Sequence, residues 1–309
     1  MPQVFDQLTR NQLDQFHRDR TVFLFTVGPL EDHGPHLPMG LDGRWAVQLA
    51  YRIGLKLETD CPGWTAVLMP PAPLGVDSNT SALALKVRPY VMRDYLVDVC
   101  LSLNKGMGFR HFACFSGHLG PKQLTAIEEA GKIVRRRTGA WGWRKIFRRG
   151  IPASLVSACS ALVTRKEVFR SPFTSDPIEH GGAYDTSLAL ALDPTRVDPN
   201  YRLLGKIQNT GWAWARSWRR SRGQLSGYWG APAEADAKKG EEALREQVDT
   251  LFPKLRAVWE GAPPDGLFRS WYSFLWPNHS FFTVYLLTGV AFLLMIAWFY
   301  LALDAVKNF

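Results

Sequence analysis

The run TVFLFTV (Thr21–Val27), followed by GPLEDHGPHLPMGLDGR at 28–44, is the stretch on which the fold turns. Seven consecutive apolar or β-branched residues closed by Gly28-Pro29 read as a strand buried on both faces, the kind found in parallel sheets. The charged cluster that follows therefore lies on a loop at a strand's C-terminal end. Working outward, residues 13–20 read as the end of an amphipathic helix, and 65–69 as a strand stopped by Pro70-Pro71-Ala72-Pro73. A helix is predicted over 91–105, with Val91, Tyr95, Val99 and Leu103 on one face, then a strand at 109–115 (FRHFACF). A helix at 123–136, a strand at 153–158 and a last helix at 235–257, with Leu244, Val248, Leu251 and Leu255 on its apolar face, complete the pattern. Strands alternating with helices predict an α/β fold, a mostly parallel sheet with helices on both faces. In such sheets ligands collect outside the carboxyl ends of the strands. No internal repeat is visible.

Composition narrows the class. With 46% hydrophobic and 21% charged residues in 309, the chain has the balance of a folded protein, and disorder is excluded as its main state. A net charge of +9 permits an anionic partner without choosing one. Cys61, Cys100, Cys114 and Cys159 never approach a Cys-x-x-Cys spacing, which removes zinc ribbons and thioredoxin-type motifs and leaves reduced core thiols in a cytosolic domain. Residues 1–20 hold no apolar stretch, so no secretory signal is read there.

The far end differs. Residues 281–303 are 23 positions without a charged side chain, roughly 34 Å of helix against a hydrocarbon core of roughly 30 Å. A buried core helix is the alternative, but the expectation is a transmembrane helix with Trp298, Tyr300, Trp271, Tyr272 and Trp276 as interfacial aromatics. The domain plan is then a body at 1–257, a linker and membrane-proximal segment at 258–280, the span at 281–303 and a short tail at 304–309. It places a single-pass C-terminal anchor in the membrane with the body facing the cytoplasm. Two basic, aromatic stretches, 135–150 (RRRTGAWGWRKIFRRG) and 210–224 (TGWAWARSWRRSRGQ), can stack on nucleic-acid bases, snorkel at an anionic membrane face or pack onto the protein. Nucleic acid is the least favoured of these partners.

Three polar clusters can carry chemistry. Glu31, Asp32, His33, His36 and Asp42 fall within a dozen positions. In extended chain Glu31 and His33 point the same way, and the turns forced by Gly34-Pro35, Pro38 and Gly40 let Asp42 fold back toward them. His and carboxylate ligands suit zinc, manganese or iron(II), although a charged surface loop has the same composition. Ser116-Gly117-His118-Leu119-Gly120-Pro121 directly follows an apolar strand, and Glu179-His180-Gly181-Gly182-Ala183-Tyr184-Asp185-Thr186-Ser187 precedes an apolar helical stretch that Asp185 can cap. His36 is read as a turn-stabilising hydrogen-bonding residue, and His17 and His111 as structural.

The three clusters, in order, resemble the motifs of the creatininase family. The first is similar to its Gly-Ser-x-Glu-Gln-His-Gly-Pro-His-Leu-Pro pattern, with Asp42 nine residues after His33. The second is similar to its Asn-Gly-His-Gly-Gly-Asn turn and the third to its His-Ala-Gly-x-x-Glu-Thr-Ser segment. Gly227-Tyr228-Trp229-Gly230-Ala231-Pro232 resembles its Gly-x-x-Gly-x-Pro stretch. The resemblance covers residues 15–257 and implies a dinuclear metal-dependent amidohydrolase, with Glu31, His33, Asp42, His118 and Asp185 as ligands and Asp42 as the bridge. It further implies two divalent ions per chain (Zn2+, Mn2+ or Fe2+), His180 as proton donor oriented by Glu179, a small-molecule amide or modified-peptide substrate, and a homo-oligomer, commonly a hexamer. The chain departs from the pattern at Asp32 (Gln in the family), Ser116 and Pro121 (both Asn), Leu119-Gly120, where creatininase has a Glu, and Asp185, where many members place a ligating Glu. The segment 75–80 also differs from the family's Gly-x-Ser-x-x-His run. These departures leave a second expectation open, a catalytically silent creatininase-like structural subunit of a membrane complex.

Overall fold

All seven residues of Thr21–Val27 are buried, and this strand sits at the centre of the sheet in the computed structural model. The structure describes residues 1–76, 83–138, 154–158, 179–208, 226–262 and 282–307. Five parallel strands among them are β1 (Gln3–Val4), β2 (Thr21–Val27), β3 (Thr65–Leu68), β4 (His111–Ser116) and β5 (Ser154–Ala158), in the order β1-β3-β2-β4-β5. The helices are α1 (Arg10–Gln15), α2 (Leu41–Asp60), α3 (Pro89–Met107), α4 (Pro121–Thr138), α5 (Ala183–Leu192), α6 (Ala237–Trp259) and α7 (Phe282–Lys307).

That strand order fixes where the helices lie. The chain moves one way across the sheet from β2 through α2 to β3, and the other way from β3 through α3 to β4 and through α4 to β5. Right-handed crossovers therefore place α2 on one face and the packed pair α3 and α4 on the other. Side chains alternate accordingly. Val22, Leu24, Ala113 and Phe115 form one core with Trp45, Leu49 and Ile53 of α2, Leu188 of α5 and Leu244, Leu251 and Leu255 of α6. The alternate residues Phe23, Phe25 and Phe112, all buried, meet in tilted and edge-on ring contacts at centroid separations of 6.1 and 6.3 Å. Because α2 and α4 leave in opposite directions, the C-terminal ends of β2 and β4 border the switch point where α/β sheets bind ligands.

Several boundaries differ from expectation. The first helix is Arg10–Gln15, started by a capping box between Thr9 and Gln12; residues 16–20 turn instead, because Arg18 donates to the carbonyls of Leu13 and Phe16 and closes the helix there. The 20-residue α2 begins inside the stretch expected as loop, so Asp42 stands on its first turn rather than being folded back by Gly and Pro turns. Its signal is present in Trp45, Leu49, Ile53 and Leu57, four apart and all buried. β1 and α2 are additions to the expected elements; α3 runs to Met107, where Gly108 caps it at φ 83°, and α6 ends at Trp259, two residues beyond the expected 257.

The chain forms two compact units, Met1–Phe274 and Leu275–Phe309. Cys61, Cys100 and Cys114 are buried. Cys159, Ala153, Asp77, Ser78, Asn79 and Thr80, residues 139–150 and 210–224 of the basic stretches, the 263–280 part of the linker and position 281 lie outside the described residues. The expected span is helical from Phe282. Among the described residues no helix is long and apolar enough to cross a membrane, the side chains described in α7 being those of 287–301, about 22 Å of helix.

Candidate metal centre

Two loops leave the sheet side by side, since Val27 of β2 pairs in register with Ser116 of β4. Glu31 and His33 lie on the first loop, steadied by the Glu31 N–H to Met39 carbonyl bond of 2.9 Å. His118 lies two residues past β4 and Asp42 on the first turn of α2. Gly117 lets these meet, because a Cβ there would strike the Asp42 carbonyl. His180 arrives from the third cluster, its backbone exchanging hydrogen bonds of 3.0 and 2.8 Å with Trp229. Gly181 has φ 62°, and a Cβ on it would run into the His33 carbonyl oxygen. Only glycine reconciles that left-handed backbone with so close an approach.

The side chains converge in a nearly dry space, with Glu31 0%, His33 2% and Asp42 4% exposed. His118 Nδ1 is 2.8 Å from Glu31 Oε1 and 3.6 Å from Asp42 Oδ2. His33 Nε2 is 3.5 Å from Asp42 Oδ1 and 4.0 Å from Glu31 Oε1. Asp42 thus offers one oxygen to each imidazole, the disposition of a bridging carboxylate. Two trios have ligand atoms close enough to share an ion, Glu31, Asp42 and His118, and Glu31, His33 and His180.

Carbonyl partners fix the tautomers, since a carbonyl only accepts. His33 Nδ1–H donates to the Glu31 carbonyl at 3.1 Å, leaving the Nε2 lone pair toward the carboxylates. His180 Nε2–H donates to the Asp32 carbonyl at 2.8 Å, so a neutral ring carries its lone pair on Nδ1. His180 is stacked between His33 and Trp229, at centroid separations of 4.3 and 4.8 Å.

Charge follows from this packing. Burial works against a charged His33, but Asp42, Asp185 and Glu31 outweigh it and raise its pKa to about 9. His118 is likewise opposed by burial and raised to about 10 by hydrogen bonds with Asp42 and Glu31. Asp42, despite burial, is held well below the usual carboxylate range by His33 and His118. His180 is pushed down by burial and the charge of His33. Burial raises Asp185, against the pull of His33, His180 and the Gly181 N–H. Without ions, two imidazolium groups take the place of cations among the acids.

The residues fit divalent ions. A buried set of carboxylate and imidazole donors demands positive charge, and mixed N and O ligands suit zinc or manganese. His118 Nε2 is also buried without a hydrogen-bonding partner among the described residues.

Of the expected ligands, Glu31, His33, Asp42 and His118 come together in the trios. Asp185 belongs to neither; its Oδ2 accepts the Gly181 N–H at 2.7 Å. His180, expected as proton donor, stands in one of them. The orienting bond on its ring comes from the Asp32 carbonyl, whereas the Glu179 carboxylate accepts the Tyr184 N–H on the first turn of α5. His36, read as stabilising its own turn, instead hydrogen-bonds Thr186 Oγ1 of α5 at 2.8 Å. His17 lies past α1, where its ring accepts the Asp19 N–H, and His111, buried, opens β4. Sequence reasoning assigned no role to Asp32 or Trp229. A carbonyl has no letter in the sequence, and Trp229 was legible only as part of its glycine-flanked motif.

Known proteins share this fold. The family model for creatininase, described as creatinine amidohydrolase, matches residues 6–255. No curated protein matches the chain. Among solved structures, one titled "Creatininase Mn" has a TM-score of 0.64 and 19% identity, covering 84% of this chain and 99% of the other. A creatinine amidohydrolase (creatininase) aligns with a TM-score of 0.61 and 20% identity, covering 84% and 98%. A mutant creatininase described as Zn-Zn type aligns with a TM-score of 0.61 and 20% identity, covering 84% and 99%. Creatininase structures thus carry manganese or zinc, and this chain has candidate groups to hold such ions. The parallel sheet, the order of the motifs and a family match over residues 6–255 agree, and the chain belongs to the creatininase family.

Proposed function

We propose that this chain is a metal-dependent amidohydrolase cleaving a non-peptide or unusual C–N amide bond in a small molecule or modified peptide. The observation that carries the reading is the convergence of Glu31, His33, Asp42, His118 and His180 into two trios sharing Glu31. Glu31, His33, Asp42 and His118 would hold roughly two ions. Ions bound there supply a water acidified to near neutrality and polarise the substrate carbonyl. His180, its Nε2–H fixed by Asp32, has Nδ1 free to take the proton of the attacking water and pass it to the leaving nitrogen. Glu179 supports this from a distance, by holding the first turn of α5. Metal analysis of the chain purified in detergent, with amide hydrolysis assayed before and after chelation, tests the reading. A protein that folds but takes up neither zinc nor manganese would sink it.

We further propose a tail anchor through 281–303, with the catalytic unit in the cytoplasm and several chains assembled, a hexamer by family resemblance. What supports the anchor is a helix apolar on every side: the consecutive residues Phe292, Leu293, Leu294 and Met295 are all 56–65% exposed. A second reading, a silent structural subunit, draws on Leu119 and Gly120, which leave no carboxylate after His118. A metal-loaded chain without hydrolase activity, whose co-purifying complex works unchanged after His33→Ala, would favour it.

A further inference from the structure

Gln123, on α4, joins two parts of the centre that the motifs do not connect. It is 0% exposed. Its Oε1 accepts the Val76 N–H at 2.7 Å and its Nε2 donates to Ser116 Oγ at 2.9 Å. Ser116 Oγ in turn donates to the His118 carbonyl at 2.8 Å. The direction of every bond is forced. A backbone N–H can only donate, so the amide oxygen faces Val76; the amide NH2 can only donate, so Ser116 accepts from it and has one proton left for His118. Val76 is 2% and Ser116 3% exposed, where leaving a polar atom unpaired is destabilising.

One end of this relay reaches the centre directly and the other through main-chain bonds. His118 faces Glu31 and Asp42. Val76 follows Gly75, whose carbonyl accepts the Val87 N–H, and Leu85 bonds by its N–H to the Leu30 carbonyl, next to Glu31. The His118 carbonyl is therefore linked through Ser116 and Gln123 to the Val76 segment, and that segment through further main-chain bonds to Leu30.

We infer that Gln123 is a positioning residue that, through Ser116, sets the His118 imidazole for ion binding and couples it to the Val76 segment, a role that rests on the proposed metal centre. Outer partners of this kind typically change metal affinity 10–100-fold.

The test is Mn2+ titration of the detergent-solubilised chain and its Ser116→Ala, Gln123→Glu and Gln123→Leu variants, with a double-mutant cycle between Ser116 and Gln123. Gln123→Glu keeps an acceptor for Val76 and, once ionised, cannot donate to Ser116, so titrations run at alkaline pH separate the two links. Both Ser116→Ala and Gln123→Glu are expected to weaken Mn2+ binding roughly tenfold, and Gln123→Leu more. Ser116→Ala combined with Gln123→Glu should be no worse than either alone, a non-additivity that general destabilisation does not produce. Amide exchange at Val76 should speed up in Gln123→Leu but not in Gln123→Glu. Folded variants that bind Mn2+ as tightly as the unmodified chain, or with additive losses, would overturn the role of Gln123. A chain that binds no Mn2+ before any substitution would instead overturn the metal centre itself.

Discussion

His180 gives its Nε2 proton to the main-chain carbonyl of Asp32 across 2.8 Å, and this bond decides which of its nitrogens can do chemistry. With Nδ1 as the lone-pair atom and burial disfavouring the charged ring, His180 is built to receive a proton before it gives one. His180→Gln should leave the ion content near that of the unmodified chain while kcat falls roughly 10²–10⁴-fold. Loss of an ion in that variant would place His180 among the ligands instead. Glu179→Gln, which weakens the hold on the Tyr184 N–H, should cost about 1 kcal/mol in stability and spare ion content.

Ion uptake should release protons. His33 and His118, raised to about 9 and about 10, are charged at neutral pH without ions and must be neutral to bind them. Uptake near neutral pH should therefore expel roughly two protons, and affinity should climb as pH rises toward about 10. Calorimetry in buffers of different ionisation enthalpy reads the number directly; uptake with no buffer dependence would mean that the two rings are already neutral before ions bind.

The same groups set the stability of the metal-free chain. A pKa raised on folding stabilises fully below the unfolded value of 6.5 and is lost as pH climbs through about 9 for His33 and about 10 for His118. Chelated protein should melt at progressively lower temperature across that window. A flat profile from neutral to alkaline pH would show that the two imidazoles do not carry this charge.

Gly181→Ala tests the close approach of the third cluster to the first. Its φ of 62° costs an alanine about 1–2 kcal/mol, and the new Cβ would strike the His33 carbonyl. The variant should lose both stability and ion affinity, seen by thermal melting and Mn2+ titration. Affinity equal to that of the unmodified chain would mean that His33 and His180 do not need this contact.

The anchor is tested by charge. Replacing Leu293 and Leu294 together with arginine adds roughly 2.5–3.5 kcal/mol per arginine to the cost of a helix at the bilayer centre. The unmodified chain should float with liposomes and the doubly substituted chain should stay behind. Equal flotation of the two would remove 281–303 as the anchor.

What the sequence determined by itself is the order and type of most elements and the five residues that meet at the centre. Strand burial, apolar periodicity and turn chemistry are short-range, so TVFLFTV and the helix carrying Leu244, Val248, Leu251 and Leu255 announce themselves. Glu31, His33, Asp42 and His118 were found because ligand chemistry needs those side chains in those motifs. Tertiary structure decided how they are held. It moved Asp42 onto α2, bonded His36 to a residue 150 positions away, handed the orientation of His180 to a backbone carbonyl, and passed the link between Val76 and His118 to Gln123. Those roles belong to main-chain groups and to partners brought together only by the sheet's switch point, and neither leaves a pattern along the chain.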